Sequence, residues 1–202
     1  MLIKVVEGTG EAKAKFCSQR FGAISTDGTP VGTTSMFNCT GLVLFPNGKG
    51  AVKSPGAVGH VEARNGTALY QRCIGTAIAQ MIKQMKEQNG NRLALVLLGN
   101  AAAANAEKDV VAAENKSLSE IILGLGFADA DVIDLRNGMT KPLGAGRAEK
   151  KPEGKFPNCV FHPKTQTLYL FSGMVRRPDD AEKGATEFEI QEPEKEEGKG
   201  KT

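Results

Sequence analysis

Apolar and polar positions change period several times along the chain, and each change marks an element. Residues 2–6 (LIKVV) and 13–21 read as strands, followed by a turn-rich stretch at 26–32. Residues 39–45 (CTGLVLF) form an apolar β-run that ends at Pro46-Asn47-Gly48, where Asn-Gly is a strong hairpin signal. A further short strand at 57–63 carries His60. From 67 to 88 the period lengthens: Tyr70, Cys73, Ile74, Ala77, Ile78, Met81, Ile82 and Met85 fall on one face of a helix, which Asn89-Gly90 stops. Residues 92–98 are almost continuously apolar, the mark of a central strand. The Ala-rich stretch 102–125 predicts a second helix with Val110, Val111, Leu118, Ile121 and Ile122 inward. A strand at 132–135, a Gly/Lys-rich loop at 137–154, and a hairpin pairing 160–161 with 167–171 around Pro163-Lys164-Thr165 complete the series. Strands followed by helix, strand, helix, strand and hairpin predict an α+β fold: a mixed β-sheet sandwich with two helices packed on the sheet. There is no internal repeat.

The chain of 202 residues suits a single domain with a tail. Its composition (40% hydrophobic, 24% charged) excludes wholesale disorder. No apolar run approaches the ~18 residues that a membrane-spanning helix needs. The opening MLIKVVEGTGEAKAKF does not read as a conventional secretory leader, so the expectation is a cytoplasmic protein as synthesised, or one delivered into a host cell by a non-classical route. The net charge of +3 is unevenly distributed. Residues 178–202 hold nine acidic and four basic side chains, leaving 22 basic and 14 acidic in 1–177. Residues 1–177 are therefore expected to form one domain. The acidic segment 178–202 is expected to be a flexible tail, with a short strand around Phe188 and Ile190, because it lacks the apolar surface that ordering requires. No Trp and two Tyr offer little for base stacking, so nucleic acid is not an expected partner.

Several motif-like strings carry little. Gly48–Ser54 (GKGAVKS) echoes a phosphate loop, but Val52 stands where a glycine belongs before the lysine. Cys159 and His162, three apart in a strand, point to opposite faces and suggest a structural role. The four cysteines form no CxxC pair, so neither a zinc site nor a redox dithiol is expected. Cys73 sits on a helix's apolar stripe as a small hydrophobe, and Cys17 lies in a mixed strand with no histidine near in sequence.

Cys39 differs because it begins an apolar strand, where a side chain can stand at a sheet's rim. A thiol with its ordinary pKa near 8.5 is only a few per cent ionised at neutral pH, so catalysis needs a nearby imidazole. The chain has two, His60 and His162. If Asn47-Gly48 is a two-residue turn, Cys39 falls opposite Gly56. Four residues looped out around Lys53-Ser54-Pro55-Gly56 would instead bring Cys39 opposite His60, with Cβ atoms ~4.5–5.5 Å apart. On these residues alone, a catalytic pair and an inert Cys and His on neighbouring strands both stand open.

The string Thr33-Thr34-Ser35-Met36-Phe37-Asn38-Cys39, an apolar strand, a turn, and then Gly59-His60-Val61 resembles the Cys–His protein-glutamine deamidases. That superfamily includes the chemoreceptor deamidase CheD and the catalytic domains of cytotoxic necrotizing factor and related toxins. In CheD-like chains a threonine precedes the nucleophilic cysteine by six residues, as Thr33 does here. The resemblance extends over residues 30–172 through the order of elements, including an apolar strand ending in Gly99-Asn100-Ala101.

The resemblance implies that Cys39, as a thiolate paired with protonated His60, attacks the side-chain amide carbon of a glutamine on a protein substrate. Backbone N–H groups of Asn38 and Cys39 would hold the oxyanion. His60 would protonate the departing ammonia and activate water to hydrolyse the thioester, while Thr33 orients the imidazole through its hydroxyl or carbonyl. No cofactor or metal is implied. A secreted toxin or effector is the favoured setting. A CheD-type chemoreceptor deamidase, a transglutaminase-like acyl transferase and a non-catalytic protein-binding module of the same fold stay open.

Overall fold

A computed structural model of the chain describes residues 1–47, 55–63, 67–85, 92–100, 108–137, 143–146, 152, 154–176 and 184–193. The strands in chain order are β1 (Leu2–Val6), β2 (Gly10–Glu11), β3 (Lys15–Cys17), β4 (Phe21–Ser25), β5 (Val31–Thr33), β6 (Thr40–Pro46) and β7 (Gly56–Val61). Helix α1 (Thr67–Met85), strand β8 (Leu93–Gly99), helix α2 (Lys108–Gly124) and strand β9 (Val132–Asp134) follow. The last strands are β10 (Asn158–His162), β11 (Thr167–Phe171), β12 (Val175–Arg176) and β13 (Ala185–Glu189). Two large mixed sheets result, one ordered β1-β11-β10-β5-β3 and the other β13-β4-β7-β6-β8-β9, with β12-β2 as a small third. The fold is α+β. Among the described residues no helix is long and apolar enough to cross a membrane.

Alternation along β6 decides the layering. Val43 and Phe45 face the five-stranded sheet, where they join Val58, Val96, Phe161, Leu168 and Leu170 in one core. Phe45 and Phe161 stack across the gap with ring centroids 5.3 Å apart. Leu42 and Leu44 face the other way, into a core shared with Ile74, Ile78 and Met81 of α1 and with Leu118 and Ile122 of α2. Removing a side chain the size of Ile78 from water stabilises the fold by roughly 1.5–3 kcal/mol, so α1 is held by its stripe rather than by propensity alone.

The sequence reading and the structure part in three places. The span 13–21 is two strands, because Arg20 takes a left-handed φ of 69° and turns the chain between β3 and β4. Residues 31–32, expected at the end of a turn-rich stretch, join Thr33 in β5, whose three residues are all buried in the five-stranded sheet. In the segment expected to be a flexible tail, the short strand expected around Phe188 and Ile190 is present and firmly seated: Ala185–Glu189 pairs antiparallel with β4 and Ile190 is buried, so 185–190 closes a sheet edge. The hairpin register also differs. Gly41, not Cys39, lies opposite His60, with Thr40 opposite Val61 and Leu44 opposite Ala57. The loop joining β6 to β7, with Gly48–Ser54, lies outside the described residues, as do Asn89-Gly90, residues 102–107, most of the loop at 137–154, and 194–202.

Candidate functional site

Thr33 on β5 and His60 on β7 meet, whereas Cys39, in the segment before β6, makes no hydrogen bond to His60 among the described residues. His60 is wholly buried on β7 and faces the five-stranded sheet, where the Thr33 hydroxyl lies 2.8 Å from its Nδ1. Thr33 Oγ1 is also 3.0 Å from the carbonyl oxygen of Cys17, its neighbour across β3 and β5. A carbonyl only accepts, so the hydroxyl hydrogen goes to Cys17 and the same oxygen accepts from His60 Nδ1–H. The network thus assigns the Nδ1–H tautomer and leaves Nε2 as a bare lone pair. Nε2 is buried and has no hydrogen-bond partner among the described residues. Burial lowers the imidazole pKa from 6.5 to about 4, so His60 is neutral at physiological pH. A protonated His60 paired with a thiolate at rest is therefore not what this environment favours, because a low-dielectric interior penalises the imidazolium.

Cys39 is buried, two residues before Gly41, and so occupies the diagonal position relative to His60. Diagonal side chains on adjacent strands start about 7–8 Å apart at Cα, within reach of a ring as long as imidazole. The Met36 sulfur fills the space above Gly41, the residue opposite His60.

The turn before the cysteine is tied at several points. Ser35 takes a left-handed φ of 67°, and its N–H donates to Asn158 Oδ1 at 2.9 Å. Met36 N–H donates to Pro157 O at 2.8 Å. From β8, Asn100 Nδ2 donates to Phe37 O at 2.9 Å and Asn100 N–H to Cys39 O at 3.0 Å. Gly99 makes this possible, since its φ is +82° and an added Cβ would fall 2.1 Å from Cys39 O. The backbone N–H groups of Asn38 and Cys39, expected to face an oxyanion, donate to no backbone partner among the described residues.

Sequence reasoning missed two contributors. Gln19 was absorbed into a continuous strand, although the polar triplet Ser18-Gln19-Arg20 interrupts the alternation there. Its side-chain Nε2 donates to Cys39 Sγ at 3.5 Å. Tyr70 counted only as a core position of α1, yet its hydroxyl lies 2.6 Å from Thr40 Oγ1, directly after the cysteine. Burial drives the Tyr70 phenol pKa up, so it stays protonated.

The remaining candidates do not join the site. Burial pushes the thiols of Cys17 and Cys159 up to about 12, which leaves them inert as nucleophiles at neutral pH. Cys159 packs inside the sandwich while His162, half-buried, lies against the Tyr169 ring with centroids 5.0 Å apart. No three His, Cys, Asp or Glu side chains converge as a metal site would need among the described residues. Beside the turn that precedes Cys39, a groove of about 350 Å³ is lined by Thr34, Ser35, Phe37, Asn158, Gly173 and Met174. Phe37 and Met174 are 67% and 75% exposed there, an unusual display of apolar surface. Compared with protein-family models and with curated proteins, the chain matches none, so local geometry carries its functional reading.

Proposed function

We propose that the chain is a cysteine-dependent protein-glutamine deamidase of the CheD and cytotoxic-necrotizing-factor type, acting through Cys39, His60 and Thr33. The observation that carries this reading is the buried imidazole whose Nδ1 is fixed by Thr33 while Nε2 is left without a partner one diagonal step from a cysteine. A buried polar atom without a partner costs about 1–3 kcal/mol, and such atoms are uncommon unless they have work to do. A general base needs a free lone pair within reach of the thiol, and Nε2 supplies the lone pair once Cys39 and His60 close the diagonal gap.

With His60 neutral, the sequence of events begins from thiol and imidazole. Nε2 takes the Cys39 proton as Sγ adds to the amide carbon of a substrate glutamine, forming a tetrahedral intermediate. The imidazolium then gives that proton to the leaving nitrogen, ammonia departs, and a thioester remains. Water, deprotonated by Nε2, attacks the thioester carbon and releases glutamate and the thiol. Met36 must yield some of the space above Gly41 for sulfur and imidazole to meet, and hydrogen bonds of this kind commonly tighten only with substrate bound. The groove bearing Phe37 and Met174 supplies apolar surface for a protein partner beside the nucleophile.

Release of ammonia from candidate protein substrates, read with a one-dalton mass gain at the modified glutamine, tests this reading. Cys39→Ser and His60→Ala are expected to remove it by at least ~10³-fold while circular dichroism stays native. Activity undiminished in Cys39→Ser would end the proposal, and incorporation of an added amine in place of water would move the chain to the acyl transferases.

A further inference from the structure

Gln19 does not belong to the Cys–His–Thr arrangement, yet it is the side chain that touches the reacting atom. It sits at the apex of the turn between β3 and β4, exposed to solvent, with Nε2 3.5 Å from the buried Cys39 sulfur. The turn is not loose. Arg20 N–H donates to His60 O at 2.9 Å, Phe21 N–H to Ser18 O at 3.1 Å, and Ile190 N–H to Arg20 O at 2.8 Å. The left-handed φ of Arg20 aims the preceding residue across β7 toward the nucleophile. One backbone hydrogen bond therefore couples the carboxamide's anchor directly to the histidine's own strand.

We propose that Gln19 is a catalytic residue: its side-chain amide N–H stabilises the Cys39 thiolate and then the oxyanion formed when that sulfur adds to a carbonyl. A hydrogen bond donated to a charged group favours the charged form, and the amide supplies the donor without the desolvation penalty of a buried cation. When Sγ bonds to the substrate carbon, the oxygen on that carbon comes to lie beside the sulfur, within reach of a donor already placed against it. Gln19 would then complement the Asn38 and Cys39 backbone amides from the solvent side of the site, where the substrate's amide must enter. The oxyanion role rests on the deamidase reading; the thiolate role does not.

The test uses the full chain and two probes. Iodoacetamide alkylation of Cys39 at pH 7, quantified by peptide mass so that Cys17, Cys73 and Cys159 do not contribute, is compared in the native chain, Gln19→Ala and Gln19→Glu. Gln19→Ala is expected to react about tenfold more slowly and Gln19→Glu more slowly again, because a carboxylate accepts but cannot donate and repels the thiolate. Ammonia release from benzyloxycarbonyl-Gln-Gly is expected to fall ~100-fold or more in kcat in Gln19→Ala, with KM little changed. Equal alkylation in all three proteins, or a Gln19→Glu chain as reactive as native, overturns the proposal. Ammonia release that depends on Cys39 and His60 but survives Gln19→Ala overturns the oxyanion role and leaves the deamidase reading intact. Absence of ammonia release from the native chain, with alkylation in the expected order, would count against the deamidase reading on this probe and uphold the thiolate role.

Discussion

Two buried polar constellations sit in the same six-stranded sheet and are finished differently. At its β9 edge, Asp134 uses both carboxylate oxygens: Oδ1 accepts from Arg136 N–H and Nε at 3.1 and 2.9 Å, and Oδ2 from Arg136 Nη2 and Leu143 N–H at 2.8 and 3.0 Å. Both side chains are almost wholly buried, and the charge of each is answered by the other. At the β7 position, His60 is buried as deeply but only Nδ1 is answered, through Thr33 and on to Cys17, while Nε2 is left bare. A closed network fixes a strand and the loop beside it. An open one leaves a lone pair unanswered at a cost in stability. On the proposed reading, the difference separates polar burial that serves the fold from polar burial that serves chemistry.

Breaking the closed network should have the largest effect. Asp134→Ala leaves the Arg136 guanidinium buried without its counter-charge, which is expected to cost about 3–5 kcal/mol in urea unfolding. Replacing both partners with apolar residues, Asp134→Leu with Arg136→Met, should recover most of that loss, because an ion pair contributes little over well-packed apolar atoms while an orphaned charge is expensive. Iodoacetamide reactivity of Cys39 should be unchanged in the double variant. If the single and double variants are equally unstable, the constellation is not the closed pair described.

Protonating the open network should have the next largest effect. His60 titrates near 4 in the folded chain and near 6.5 when unfolded, so between those values the unfolded state binds more protons. The stability associated with neutral His60 is complete above pH 6.5 and is lost as pH falls toward 4, a change of about 3 kcal/mol. His60→Gln carries no such proton, and the difference in urea midpoint between native and variant should narrow over that window. The acid limb of any rate that needs neutral Nε2 should likewise lie near pH 4 to 5. A limb at 6.5, with no pH-dependent difference between the two proteins, would show that the imidazole is solvated.

The two regions were not equally legible in the sequence. Strands β6 and β8 announce themselves because both faces are buried, as do α1 with its stripe and the β10–β11 hairpin with its turn. Thr33 and His60 could be matched because each belongs to a short local string. The register between β6 and β7 could not be fixed, since it depends on a long connection whose length no residue pattern reveals. Parity survived the error of two residues, so Cys39 and His60 keep a diagonal relation. Gln19 was invisible because its role arises from a left-handed turn at Arg20, a position where sequence shows only a polar interruption. Strand β13 was legible only as a short strand around Phe188 and Ile190: the acidic, Gly-bearing segment has low intrinsic order, and the partner that orders it, β4, is remote in sequence.

The smallest expected effect is the most informative about how the open network is held. Thr33→Val preserves shape and volume but removes the hydroxyl that relays Nδ1–H to Cys17 O. Two groups lose partners at once, a donor on the ring and an acceptor on the strand, and the expected loss is about 1–3 kcal/mol in urea unfolding. Stability alone would not separate a relay from a single contact. The tautomer does, because without Thr33 nothing in the described network prefers hydrogen on Nδ1, and the proton can move to Nε2, where it spoils the base. Nitrogen chemical shifts of His60 should therefore report an Nδ1–H form in the native chain and a shift toward Nε2–H in Thr33→Val. Thr33→Ser, which keeps the hydroxyl, should restore the native signal. If the valine variant keeps the native tautomer, the imidazole is oriented by packing, and the hydrogen bond from ring to threonine to strand is a consequence of that orientation rather than its cause.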